Sequence, residues 1–290
     1  MWGNSMENLS RCCVLLLMAF SHILGQDEPD GQRAVQCSSF MGNDTSFPNA
    51  TIVTEDAMEE VDNDIQAFVN CTQPFGVILF STPIINTLTT VLVDMPMTFG
   101  TVNGTDVVFN CPTSGSIFDI RSPGVTLSNM TFANCTSLDG AAPVHISNCT
   151  SFQPPVRLEN VQFQSNANSN GTAGLDISLG CNAQLKNASF FNNSGLDGTA
   201  IDIKSGSLVS VTSSNFHLNV AASRGGAIQV INASLKIRMC NFTSNKGANG
   251  EGGAGGAIYI WVRHYEHVNS LKTALCISAS SVLCMFNHYF

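Results

Sequence analysis

Between residues 125 and 260, apolar and polar positions repeat one template. Five segments align on a phenylalanine: Val125-Thr-Leu-Ser-Asn-Met-Thr-Phe132, Val156-Arg-Leu-Glu-Asn-Val-Gln-Phe163, Ala183-Gln-Leu-Lys-Asn-Ala-Ser-Phe190, Val209-Ser-Val-Thr-Ser-Ser-Asn-Phe216 and Leu235-Lys-Ile-Arg-Met-Cys-Asn-Phe242. The phenylalanines stand 31, 27, 26 and 26 residues apart. Alternation of apolar and polar residues within each segment predicts strands with one buried face. Three residues after four of the phenylalanines comes Asn166, Asn193, Asn219 or Asn245; in the first repeat Asn134 comes one residue early. About a dozen residues further on, a small residue precedes a second short strand: Val144-His-Ile146, Leu175-Asp-Ile177, Ile201-Asp-Ile203, Ile228-Gln-Val230 or Ile258-Tyr-Ile260. The last two sit in Gly-Gly-Ala-Ile, at 225–228 and 255–258.

A β-sandwich also yields many short strands, but nothing makes it repeat one template at one period. A parallel β-helix does: each coil adds a strand to each sheet, and equivalent side chains stack ~4.8 Å apart. The expected fold is therefore all-β, a right-handed parallel β-helix. Leu127, Leu158, Leu185, Val211 and Ile237 form one inward column, and Phe132, Phe163, Phe190, Phe216 and Phe242 another. The asparagine after each phenylalanine is expected to bend left-handed or to ladder its amide with the next coil.

Upstream the template blurs. Ala57, Met58, Val61, Ile65, Phe68 and Val69 are spaced as one face of a helix, starting at Thr54. A short capping helix over 54–70 is predicted to plug the open N-terminal end, since solenoids need covered ends. Coil strands are expected at 76–80, 90–93, 97–99, 106–109 and 117–120. The expected organisation is a signal peptide over 1–25, a leader over 26–53, the helix, the stack over 71–260 with a protruding Gly-rich loop at 246–256, and an atypical tail over 261–290. The signal is read from Arg11, the apolar run 12–20 and Gly25, a run too short to span a bilayer. No transmembrane helix is expected in the mature chain.

Composition narrows the function. Only 11% of residues are charged and the formal net charge is −9, which argues against a nucleic-acid partner. Asn-X-Ser/Thr occurs at Asn43, Asn49, Asn70, Asn103, Asn129, Asn134, Asn148, Asn170, Asn187, Asn192, Asn232 and Asn241, so N-glycans on surface turns are expected. Of 11 cysteines, two fall in the signal, which leaves an odd number for pairing. No cysteine or histidine cluster has zinc spacing, and no metal or other cofactor is expected. In an oxidising compartment disulfides are the natural reading. Cys111 and Cys135 lie about one coil apart, which makes them a candidate bridge.

The Gly-Gly-Ala-Ile motifs, taken with Phe190/Asn193, Phe216/Asn219 and Phe242/Asn245, resemble the repeats of the chlamydial polymorphic outer membrane protein family over about 125–260. The segment 59–132, with Gly76-Val-Ile-Leu-Phe80 and Gly124-Val-Thr-Leu-Ser-Asn-Met-Thr-Phe132, is similar to the opening of the wider pectin-lyase-like superfamily. The resemblance implies a right-handed parallel β-helix outside the cell or on its surface (the cell outer membrane in bacteria), often used in adhesion. No C-terminal β-barrel pattern of the bacterial autotransporters is recognised, and the sequons point to a eukaryotic or viral relative.

The strongest candidate for chemistry is a column. Asp176 and Asp202 hold the same offset in adjacent coils, His145 holds it one coil earlier, and Gln229 and Tyr259 continue it. Stacked, the two carboxylates would be close enough to repel or to share a cation. Ordinary alternation also puts polar residues there, as a solvated face. Pectate-lyase-type chemistry needs several carboxylates around Ca²⁺ and a basic residue; hydrolysis needs a cluster of two or three aspartates. No Asp-Asp pair or Arg-x-Lys occurs, and Arg157, Arg224 and Lys204 look scattered. Gly-x-Ser-x-Gly and P-loop fingerprints are absent. The sequence therefore favours a secreted, non-enzymatic adhesion or recognition scaffold that engages an extracellular protein or carbohydrate surface. The alternative is a polysaccharide lyase or glycoside hydrolase.

Overall fold

Seven successive turns of backbone superimpose strand on strand among the described residues. The computed structural model describes residues 50–60, 64–87, 89–111, 115–137, 139–149, 154–248 and 256–261. The expected signal, most of the leader, residues 249–255 of the Gly-rich segment, all of the tail after Trp261, and Asn43 and Asn49 lie outside them.

Every strand pairing among the described residues is parallel. Sheet A runs Ala50–Val53, Val77–Phe80, Thr98–Thr101, Thr126–Ser128, Val156–Glu159, Asn182–Lys186, Leu208–Thr212 and Ser234–Arg238. Sheet B follows it within each coil, from Ile84–Asn86 to Asn241–Thr243, and sheet C closes the coil, from Val91–Val93 to Ile258–Trp261. A four-stranded sheet D (Thr136–Ser137, Ala167–Asn168, Ser194–Asp197 and Val220–Arg224) is inserted between B and C in the middle coils. The chain is a right-handed parallel β-helix.

Each aligned eight-residue template straddles two sheets. The bend lies at Asn129, Asn160, Asn187, Ser213 and Met239, all left-handed at φ 57°, 55°, 54°, 53° and 54°. Asparagine tolerates that conformation, and here it also ladders: Asn160 Nδ2 donates to Asn129 Oδ1 at 3.0 Å and Asn187 Nδ2 to Asn160 Oδ1 at 3.2 Å.

The core is built of rows. Leu127, Leu158, Leu185 and Val211 are buried, as are Phe132, Phe163, Phe190 and Phe216. The rings from Phe132 to Phe216 stack at 4.9 Å per step, and Phe242 adds a last step of 4.5 Å. This spacing is the strand separation itself, so one residue type repeated once per coil generates a continuous aromatic stack.

Of the two expected roles for the asparagine after each phenylalanine, the ladder is the one adopted. Asn166, Asn193 and Asn219 are at most 1% exposed. The side-chain amides of Asn166, Asn193, Asn219 and Asn245 donate to the carbonyls of Phe132, Phe163, Phe190 and Phe216 at 2.9–3.0 Å. Their oxygens accept from the backbone N–H of Cys135, Asn166, Asn193 and Asn219 at 2.9–3.2 Å. The left-handed bend falls one residue earlier, at Asn134, Ser165, Asn192, Leu218 and Ser244. Asn134 is thus a bend residue, and Cys135 stands at the ladder position of its coil.

The N-terminal cap differs from the single helix expected. Two short helices, Glu55–Glu60 and Ile65–Cys71, replace it. Thr54 Oγ1 accepts from the Ala57 N–H, and the second helix starts afresh at Asp64, which caps Gln66 N at 3.0 Å. Ile65, Phe68 and Val69 are buried. Gln66 finishes an open edge of sheet C: its amide accepts from Leu92 N at 2.6 Å and donates to Leu92 O at 3.3 Å. The stack also begins earlier than expected, because Ala50–Val53 pairs with Val77–Phe80.

Candidate functional site

The column predicted on sheet C forms in register. Asp119, His145, Asp176, Asp202, Gln229 and Tyr259 are successive partners across adjacent strands. In the strands from Phe118–Ile120 to Ile228–Ile231 the apolar residues flanking the column, such as Ile201 and Ile203, point inward and are buried, so the residue between them points outward.

Like charges on adjacent strands repel. Here a lysine and a histidine resolve the conflict. Lys204 Nζ lies 2.5 Å from Asp202 Oδ2 and 3.6 Å from Asp176 Oδ1. His145 Nδ1 is 3.1 Å from Asp176 Oδ2. One coil above, Arg121 pairs with Asp119 at 2.6 Å. Lys204 and Arg121 follow Asp202 and Asp119 by two residues and so share their face. Lys204 is not scattered; it is the centre of the cluster. The period-two signal for both was in the sequence, in Ile201-Asp-Ile-Lys204 and Phe118-Asp-Ile-Arg121.

The solvated face considered above is overturned in part: Asp202 is only 2% exposed and Gln229 only 1%. A bulge between Gly195 and Asp197 and left-handed turns at Gly198 and Gly225 bring the backbone over this part of the sheet. A Cβ built on Gly198 would stand 2.8 Å from that of Gln229. Asp202 Oδ1 and Gln229 Nε2 are left without hydrogen-bond partners.

Electrostatics follow the burial. Burial pushes the Asp202 carboxyl up to about 7 against the pull of Lys204. Burial would also raise Asp176, but the His145 hydrogen bond and the Lys204 charge outweigh it and hold its carboxyl below the usual value. His145 is raised, chiefly by its hydrogen bond to Asp176. Lys204 stays protonated well into the alkaline range: burial opposes its charge, and the two aspartates more than compensate.

Two carboxylates with divergent protonation are the raw material of acid–base catalysis. Catalysis also needs access. Asp202 is covered, and the cluster neutralises itself through one lysine and one histidine. Among the described residues no group of three or more His, Cys, Asp or Glu is placed to hold a metal ion. A small cavity lies elsewhere, against Cys111, Cys135 and Asn168, with about 10 Å³ of space, enough for one water.

Cysteines staple neighbouring coils. Cys111 and Cys135 are joined with their Cα atoms 4.9 Å apart, and Cys149 joins Cys181 at 4.7 Å. Cys71 is also in a disulfide, and Cys240 is a free thiol. Two staples among the described residues fit an oxidising compartment.

Ten of the twelve sequons are described. Asn70, Asn103, Asn134, Asn148, Asn170, Asn187, Asn192 and Asn241 are exposed, and Asn129 and Asn232 are half-buried. Most stand at left-handed corners between sheets. Among the described residues no helix is long and apolar enough to cross a membrane.

The fold and site define a β-solenoid with an ionic column on one face, covered at Asp202 and Gln229. No protein-family model matches the chain, and no curated protein matches it.

Proposed function

We propose that this chain is a secreted or cell-surface scaffold that recognises an extracellular protein or carbohydrate, in adhesion, without turning it over. The observation that carries this reading is the state of the best catalytic candidate. Asp202 is buried and bridged to Asp176 through Lys204, and Asp176 is paired in turn with His145, an arrangement suited to holding three coils in register. Sequons at exposed corners, two inter-coil disulfides and the apolar run at 12–20 support export. The paired Gly-Gly-Ala-Ile and Phe-x-x-Asn motifs support a place in the polymorphic outer membrane protein-type repeat family.

The test exposes the full chain to polygalacturonate, alginate and related polymers, and separately to cell surfaces and extracellular matrix. Saturable binding with intact polymers is the expected result. Chain cleavage that disappears in both Asp176→Ala and Asp202→Ala would establish the second reading, a polysaccharide lyase or glycosidase of the pectin-lyase-like class. The observation in favour of that reading is the divergent protonation of Asp202, the acid, and Asp176, the base or nucleophile.

A further inference from the structure

We infer that the outer face of sheet A is a binding surface for an anionic polysaccharide. This deepens the recognition reading above and rests on it.

The chain is short of cations, with 12 Lys and Arg against 21 Asp and Glu. Four of those cations nevertheless lie within four consecutive strands of one sheet, Arg157 on the first, Lys186 on the second, and Lys236 and Arg238 on the fourth. Arg157, Gln184, Ser210 and Lys236 form one outward row, and Glu159, Lys186, Thr212 and Arg238 form the next. Glu159 is the one acidic residue in these four strands. Lys186, Lys236 and Arg238 are exposed and Arg157 is half-buried.

None of the four is in an ion pair among the described residues, whereas Arg121 and Lys204 are paired on sheet C and Arg224 lies over the Tyr259 ring at 5.5 Å. Among the described residues, four unpaired cations against one acidic residue gather on this face, and such a local excess of positive charge on an acidic protein is a complementary surface for polyanions.

Shape and chemistry select the polymer. From Arg157 to Lys236 is three strand steps, ~14 Å along the stack, with Lys186 and Arg238 alongside. Gln184, Ser210 and Thr212, lying between the charges, offer amide and hydroxyl partners to sugar hydroxyls. Protein partners seek a desolvated aromatic centre, and this face has none. Its one large exposed apolar side chain, Leu208, sits at the start of its strand. No sequon asparagine lies on a strand of sheet A; Asn129 and Asn187 flank one margin, Asn148 and Asn232 the other. The face is a glycan-free strip between glycan acceptors, open to a linear chain laid down the stack.

The test measures binding of the full chain to heparin oligosaccharides (sulfated), polygalacturonate (carboxylated) and dextran (neutral), at low and high salt. The expected result is salt-sensitive binding to the anionic polymers and none to dextran. The triple variant Lys186→Gln/Lys236→Gln/Arg238→Gln is expected to lose at least about tenfold in affinity and the single Lys236→Gln about threefold, while Lys246→Gln, off the face, stays within about twofold. An unchanged triple variant with native circular dichroism overturns the proposal, as does an equal loss in Lys246→Gln or equal binding of dextran. Polyglutamate binding as tightly as the anionic sugars would overturn the choice of polysaccharide. Cleavage of the bound polymer would instead refute the non-enzymatic reading, so the two failures are distinguishable.

Discussion

Phe190 and Phe191 are neighbours in one strand and should behave oppositely when truncated. Phe190 is fully buried, with rings 4.9 Å above and below it at interplanar angles of 0° and 3°. Phe190→Ala removes that ring from a stack that has no other side chain to fill the gap, because both neighbours are fixed by their own coils. Large-to-small changes of this kind cost about 3–5 kcal/mol, a large share of the ~5–15 kcal/mol that holds a domain folded. Phe191 points outward, is 38% exposed, and touches the His217 ring at 5.6 Å. Phe191→Ala should therefore cost less than about 1 kcal/mol. Urea unfolding followed by circular dichroism reads both, with the slope against urea checked for constancy. Equal losses in the two variants, or a larger loss in Phe191→Ala, would refute the inward aromatic row.

Other consequences are equally direct. Asn219→Ala removes an acceptor for Asn193 N and the donor to Phe190 O, all buried, and should cost about 2–4 kcal/mol in the same assay, while Asn187→Ala, at an exposed corner, should cost far less. Stability should fall as pH rises from about 4 to 7, because Asp202 holds its proton in the folded chain up to about 7 but only to 3.8 when unfolded. That shift corresponds to at most roughly 4 kcal/mol. His145, raised above 6.5, adds to the fall as pH climbs through its folded value; Asp176, lowered, acts only on the acid side, where its contribution is lost as pH drops below 3.8. Asp202→Asn should flatten the slope, as thermal melts across that window would show. Selective loss of either the Cys111–Cys135 or the Cys149–Cys181 bridge, which close loops of 24 and 32 residues, should cost about 3–4 kcal/mol, measured by denaturation of the Cys→Ser pairs.

The repeat made most of the architecture legible before any coordinates. A residue type recurring once per coil has one packing solution in a parallel stack, so Phe163, Phe190 and Phe216 announced both period and inward direction. The column His145–Asp176–Asp202 was legible for the same reason: equal offset means adjacency. Less could be read where the backbone departs from the template. The left-handed corner inside each template gives no hydropathy signal, because Asn187, Ser213 and Met239 all occupy it, so the pattern does not show where the eight residues divide between two sheets. The burial of Asp202 depends on the bulge after Gly195 and the close approach of Gly198, which alternation does not encode. Lys204 lies one residue beyond the apolar-polar-apolar pattern Ile201-Asp-Ile203, at the end of the strand, so the pattern itself does not single it out.

Equivalent residues of successive coils lie directly above one another, and the core rows, the ionic column and the cation rows all depend on it. Nitroxide labels at Thr126→Cys and Lys236→Cys, in a Cys240→Ser background, test this by pulsed electron paramagnetic resonance. The two positions are far apart in sequence but four register steps apart in sheet A, through Arg157, Gln184 and Ser210. The prediction is one narrow distance distribution near ~19 Å, widened only by the label linkers. A broad distribution, or a single peak beyond ~30 Å, would contradict the coiled stack and every assignment built on it.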